Sequence, residues 1–272
     1  MATDDYDEPF GWWGWHWQPP VPLSVIQLIE ARSFDTPLMA LLWALLARRA
    51  SVIVGAEPPM AGKTTTLTAL TDLLPPHTRK LYLHGLYETF EFAADPAVQP
   101  AESYLLANEM SDHLAIYFWG ARVGKLFTLL PQGYAFGSTM HAETVEDVLA
   151  VLQAPPLDVP DHLLGALTLV VNLQIIENSA RGGRRCTAVH LVQPGSGPRG
   201  VDVTCLARWN RAGDRIEHLH QEPPAAAALA RWTGADPALF EAEVARREAF
   251  LAGLIQQGTR TVPAVRRALT AF

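Results

Sequence analysis

The chain is poor in cysteine, lysine and net positive charge, and it holds no long apolar run. Its two cysteines, Cys186 and Cys205, have neither the spacing of a metal site nor the number needed for a disulfide framework, so buried thiols in a reducing compartment are expected. Three lysines stand against 18 arginines; genome composition and thermal adaptation both produce such a bias. A net charge of −7 and a pI near 5.7 argue against a broad surface for nucleic acid or anionic lipid. The longest apolar helical candidate, 38–47, is too short to span a bilayer and ends in Arg48-Arg49. The N-terminus, MATDDYDEP, is acidic where a secretory signal is basic. A soluble cytoplasmic protein is expected.

The 272 residues are 49% hydrophobic and 18% charged, enough to build a sizeable core. Residues 1–22 read as an arm. GWWGWHWQPP places Trp12, Trp13, Trp15 and Trp17 around His16 before two prolines, and such a cluster is expected to dock on its own domain or on a neighbouring copy. Residues 23–220 read as one α/β core and 221–272 as a helical appendage. Thr36-Pro37 marks a helix start, with the helix running to about Arg49. SVIVG is a β-branched run, hence a buried strand, and KTTTLTALTDLL is a helix halted by Pro75-Pro76. KLYLHG, SYLLAN, YAFGSTMHA and LTLVVNLQII read as further strands. A long helix is expected over His113–Leu130, and another in ETVEDVLAVL, whose first turn is acidic. RRCTAVHLV and VDVTCLARW, separated by QPGSGPRG, read as an edge hairpin. Strands alternating with helices predict a mostly parallel sheet with helices on both faces.

EPPMAGKTTT, 57–66, carries the chemistry. A phosphate-cradling loop has the form G-x-x-x-x-G-K-[ST] between a strand and a helix. Gly62-Lys63-Thr64 is the intact second half, and Glu57 stands where the first glycine belongs. The amides of Ala61, Gly62, Lys63, Thr64 and Thr65 lie at a helix start, where they can face phosphate oxygens. Lys63 would reach the β/γ-phosphates of ATP, and the Thr64 hydroxyl would bind Mg²⁺. A Glu57 carboxylate facing the phosphates would cost roughly 3 kcal/mol at about 6 Å and an effective dielectric of about 20. It is therefore expected to point away; alternatively Gly55 is the first glycine of a longer loop. YLLANEMSDH delivers Glu109 and Asp112 to a strand end, where a carboxylate can orient Mg²⁺ or polarise an attacking water. STMHAET puts His141 at the same sheet edge, and YETFEF follows the second strand with Glu88 and Glu91.

In this order the motifs resemble those of the type II/IV secretion ATPase superfamily, which includes archaellum, pilus and archaeal-type secretion motors. The resemblance covers roughly 21–272. YETFEF is similar to its acidic box, LLANEMSDH to its Walker B segment and STMHAET to its histidine box; PLSVIQLIEARSFDTPLMALLWALLARRASVIVG and the tail FEAEVARREAFLAGLIQQGTRTVPAVRRALTAF are similar to its archaeal branch. The resemblance implies a RecA-like P-loop fold and catalytic roles for Glu109, His141 and Glu88, with Glu109 joining Thr64 at the metal. It also implies ATP hydrolysis by a hexameric ring or by a hetero-oligomer with a related ATPase. Contact with a membrane platform protein at the inner face of the membrane follows from the same resemblance, with no nucleic-acid partner.

The departures bear on mechanism. The family's large N-terminal domain is expected to be missing, with the tryptophan-rich arm in its place. Phe92–Asn108 contains no arginine or lysine, and Ser111 stands where the family has arginine. Charge on a transferred phosphoryl group needs an offset, and Arg122, Arg181, Arg184 and Arg185 are the candidates, the glycine-rich SARGGRR turn being able to reach a neighbouring subunit. Three readings stand: a motor of reduced size, a structural or regulatory nucleotide-binding paralogue with weak hydrolysis, and an unrelated P-loop kinase, which the histidine box and tail argue against.

Overall fold

The computed structural model describes residues 3–9, 11–12, 21–176 and 183–272. Trp13, Trp15, His16, Trp17 and Arg181 lie outside them.

Short apolar runs form the centre of the sheet. The core strands are β1 (Val52–Gly55), β2 (Arg79–Tyr82), β3 (Ser103–Leu106), β4 (Ala135–Met140) and β5 (Leu169–Ile176). Every residue of β1, β3 and β4 is buried, as strands covered on both faces require. They pair in parallel in the order β2-β3-β4-β1-β5. Beyond β5 the sheet turns antiparallel through β6 (Gly183–Pro194), β7 (Val201–Asn210) and β8 (Arg215–His218). The predicted edge hairpin is thus β6–β7. The eighth strand carries no sequence signal: RIEH is four residues long, too short to show a pattern. The sheet is of the expected α/β kind, parallel through its centre. One strand, β4, separates the loop-bearing β1 from the acid-bearing end of β3.

The helices are α1 (Val25–Glu30), α2 (Thr36–Leu46), α3 (Lys63–Leu70), α4 (Ala121–Leu129), α5 (Val145–Gln153), α6 (Asp161–Leu164), α7 (Pro223–Thr233), α8 (Pro237–Gln256) and α9 (Val262–Thr270). Two hydrophobic clusters lie on opposite faces of the sheet: Val52 and Val54 belong to one, Ile53 to the other. The C-terminal helices share the first with α1 and α2. Arg48 makes a two-nitrogen contact with Glu243 of α8 (2.9 and 2.7 Å), and Trp43 packs on Phe250 and Phe272.

Two local expectations are corrected. The cap of α2 is Asp35, whose Oδ1 accepts from the Leu38 amide at 3.0 Å, so that Thr36 is the first helical residue and not the cap. The helix expected over His113–Leu130 occupies only its second half, Ala121–Leu129. Gly120, with φ 76° and ψ −156°, breaks it. Before it, the chain folds back so that the Phe118 amide donates to the Glu109 carbonyl (2.8 Å) and the Phe118 ring is fully buried. Burying one phenylalanine outweighs a turn or two of marginal helix.

The described part of the arm docks on its own domain. Trp12 is buried edge-on against Tyr82 and its indole N–H donates to Thr68 (2.9 Å). Tyr6 stacks on His84 with ring centroids 4.5 Å apart, and Asp7 pairs with Arg79 at 2.8 Å.

Candidate functional site

Parallel pairing brings the carboxyl ends of β1, β3 and β4 to one edge, and the chain leaves each of them carrying a polar residue. β1 ends at Gly55, whose missing side chain would lie 2.8 Å from the Ala142 carbonyl. The segment 56–62 follows, and α3 begins at Lys63 with Gly62 as its cap at φ 91°. That conformation is open to glycine and strained for other residues. The first amides of α3 have no partner within the helix, which leaves Lys63, Thr64 and Thr65 facing the loop.

Lys63 is only 6% exposed. Its ammonium donates to the Ala56 carbonyl at 3.3 Å and lies 3.3 Å from Nε2 of His141. Burial lowers its pKa, opposed by the charges of Glu109 and Glu57. Glu57 is exposed. Its carbonyl accepts from Nδ1 of His141 at 2.8 Å.

Glu109 and His141 are held side by side by their strands. Met110 forms a parallel bridge with Met140, its amide donating to the Thr139 carbonyl at 2.8 Å. The residues flanking that bridge then meet: His141 Nε2 is 3.2 Å from Glu109 Oε1. The Glu109 amide donates to Asn108 Oδ1 (2.7 Å), which shapes the turn after β3. Asp112 is solvent-exposed beside His113. Thr144 caps α5 just beyond His141 through a reciprocal pair with Asp147.

Glu88 is not joined to this group. Its carboxylate is buried and fully engaged: Oε1 accepts from Tyr6 O–H (2.8 Å) and the Phe90 amide (2.5 Å), Oε2 from the His84 amide (2.8 Å). Burial raises the pKa of the Tyr6 phenol, and Glu88 adds to it. Glu91, at the start of a short 3₁₀ turn, is exposed.

The arginines separate by position. Arg122 donates to the Glu88 carbonyl at 3.2 Å. Arg185 makes two 2.8 Å contacts with Asp214, whose carboxyl these hydrogen bonds hold down to about 2. Arg184 alone of the three described candidates touches the loop. Its Nε and Nη2 donate to the Met60 carbonyl at 3.1 and 2.8 Å, and its side chain lies 3.0 Å from where a Cβ on Gly62 would be. An arginine expected to reach a neighbour thus rests on the loop of its own chain.

Sequence reasoning missed Asn172. It is 1% exposed, sits opposite Gly55 in the β1–β5 register, and neither amide atom has a partner among the described residues. One asparagine inside the apolar run LTLVVNLQII was the available signal.

No protein-family description matches the chain. It is 23% identical over 215 residues to the "uncharacterized protein MJ1287" of Methanocaldococcus jannaschii, covering 70% of this chain and 76% of that protein. It is 26% identical over 178 residues to "uncharacterized protein MJ0900" of the same organism, covering 57% of this chain and 30% of that protein. Among solved structures, it is similar to the VirB11 ATPase of the Brucella suis type IV secretion system (TM-score 0.41, 17% identity, 61% of this chain and 54% of that one). It is also similar to the Legionella pneumophila ATPase DotB (TM-score 0.41, 9% identity, 92% of this chain and 66% of that one). Both are ATPases. The chain spans about half the length of the first and two thirds of the second.

Proposed function

We propose that the chain binds Mg-ATP on the loop between β1 and α3 and hydrolyses it as a motor subunit of a type II/IV secretion or type IV pilus-like machine. One observation carries this reading: a buried loop lysine, a strand-end glutamate and a strand-end histidine converge within 3.3 Å contacts beside a glycine-capped helix start. The residues fit a phosphate group. Gly62 leaves the loop backbone uncovered by a side chain of its own, and the burial of Lys63 keeps its charge little screened.

In this reading the amides of Ala61 to Thr65 and the Lys63 ammonium bind the phosphates. Thr64 and Glu109 are the residues that would hold Mg²⁺, which when bound neutralises phosphate charge. Glu109 accepts a hydrogen bond from the attacking water, and His141 lies beside that carboxylate, its Nε2 at 3.2 Å. Arg184 adds positive charge over the loop. Assembly into a ring, from copies of this chain or with a related ATPase, and docking on a membrane platform protein at the inner face of the membrane, follow from the motif resemblance.

A regulatory paralogue is the second reading. It is favoured by Arg185 and Arg122 being tied to Asp214 and the Glu88 backbone, which leaves one described arginine at the loop. Steady-state turnover on size-fractionated protein separates the two. Turnover per chain that rises with protein concentration supports the motor; nucleotide binding with no turnover at any concentration supports the paralogue.

A further inference from the structure

A third side chain meets Glu109 and His141. Ligand atoms of Glu109, His113 and His141 all lie within 4.8 Å of one another, and the His113 and His141 rings are 5.7 Å apart between centroids. His113 reaches this position because residues 113–118 fold back instead of continuing as a helix, through the Phe118-to-Glu109 backbone bond (2.8 Å). We propose that Glu109, His113 and His141 form a binding site for a divalent transition-metal ion of the zinc class when the phosphate loop holds no nucleotide.

The donor set is the first argument. Two imidazoles and one carboxylate match the three-ligand sets of open zinc sites, whose fourth position is left to solvent, whereas Mg²⁺ takes all-oxygen shells. The site shares Glu109 with the Mg²⁺ position at Thr64 and Glu109 but offers nitrogen donors that Mg²⁺ does not favour.

The support behind the ligands is the second. A metal-bound histidine characteristically donates its other ring N–H to a carbonyl or carboxylate, which fixes the tautomer and aims the lone pair. His141 does so: Nδ1 donates to the Glu57 carbonyl at 2.8 Å, so Nε2 is the nitrogen presented to Glu109 at 3.2 Å. Two ligands follow adjacent strands whose ends are joined by the Met110–Met140 bridge. His113 is exposed and free to close the small remaining gap.

The third argument concerns Lys63, whose ammonium lies 3.3 Å from the same Nε2. Two cations cannot share that face at low cost. Metal binding therefore requires the ammonium to withdraw toward the Ala56 carbonyl, already 3.3 Å away. A bound metal also takes up both Glu109 and His141. Resting on the hydrolytic reading above, this makes the ion an inhibitor of turnover and nucleotide its antagonist.

The test uses the full chain, stripped with chelator and free of nucleotide, in equilibrium dialysis against Zn²⁺. Wild type is expected to retain one tightly held zinc, and His113→Ala to bind it at least about tenfold more weakly, since changing even supporting residues costs about 10–100-fold. Co²⁺-loaded wild type should show a visible d–d band that His113→Ala lacks. His113→Ala should keep its ATP-induced thermal stabilisation, which reports an intact fold and loop. Equal zinc uptake by the two proteins, or none by wild type, overturns the proposal. Zinc retained through His113 in a chain that ATP does not stabilise would uphold the metal site and remove the nucleotide reading.

Discussion

Lys63 Nζ and Nε2 of His141 lie 3.3 Å apart, and the opposite nitrogen of the same imidazole holds the Glu57 carbonyl at 2.8 Å. One histidine at the end of β4 thus touches the loop at both its start and its finish. The loop's resting shape is set by a neighbouring strand as much as by its own sequence.

Replacing Lys63 by alanine should abolish stabilisation by Mg-ATP. A ligand at a hundred times its dissociation constant stabilises by about 2.7 kcal/mol, or roughly 5–10 °C in melting temperature for a domain of this size. Differential scanning fluorimetry with and without nucleotide measures it; equal shifts in both proteins would remove the loop from nucleotide binding.

Glu109→Gln should keep ATP affinity within about tenfold, ~1.4 kcal/mol, and lose most turnover. The amide keeps an acceptor but loses the charge that polarises water. Comparing kcat with nucleotide affinity in the same preparation decides it, and unchanged turnover would take Glu109 out of the mechanism.

Arg184→Ala should lower turnover while leaving ATP affinity within about tenfold. An arginine at the transferred phosphate of other P-loop enzymes contributes about 10³–10⁵ in rate. Arg185→Ala serves as the comparison, because Arg185 is committed to Asp214. Equal turnover losses in the two variants would point to the β6 backbone as the cause.

Glu88→Gln should be costly to stability. Three donors converge on the two carboxylate oxygens, and an amide sets its own N–H₂ against one of them. Leaving buried donors unmatched costs about 1–3 kcal/mol. Urea denaturation reads this directly. A variant of unchanged stability with lost turnover would instead assign Glu88 to catalysis, as the motif resemblance implies.

Acid should weaken the Arg185–Asp214 contact late. The Asp214 carboxyl is held at about 2 against an ordinary value of about 3.9. A depressed folded value contributes stability that is present above the ordinary one and lost as pH falls through the folded one. Between about pH 4 and pH 2, Asp214→Asn should therefore show a shallower fall in denaturation midpoint than wild type. Parallel curves would show that the contact does not form.

Much of this protein is written locally. Continuous apolar, β-branched runs mark the central strands, because a strand covered on both faces admits little else; Gly62-Lys63-Thr64 marks the helix start. Glu109 and His141 are legible as strand-end residues because the chain must leave each parallel strand at the same edge. What no local pattern contains is which ends become neighbours. The order β2-β3-β4-β1-β5 sets Glu109 against His141 and His141 against Lys63, and it is decided by burial summed over the whole sheet. The same non-local energy breaks the expected helix before Gly120 to bury Phe118, and so carries His113 to the site. It also turns Arg184 onto its own loop while Arg185, one residue on, points away to Asp214. Side chains alternate across a strand whatever the sequence reads, so adjacent arginines meet different partners. Which of them faces the loop depends on register, and register is a property of the assembled sheet.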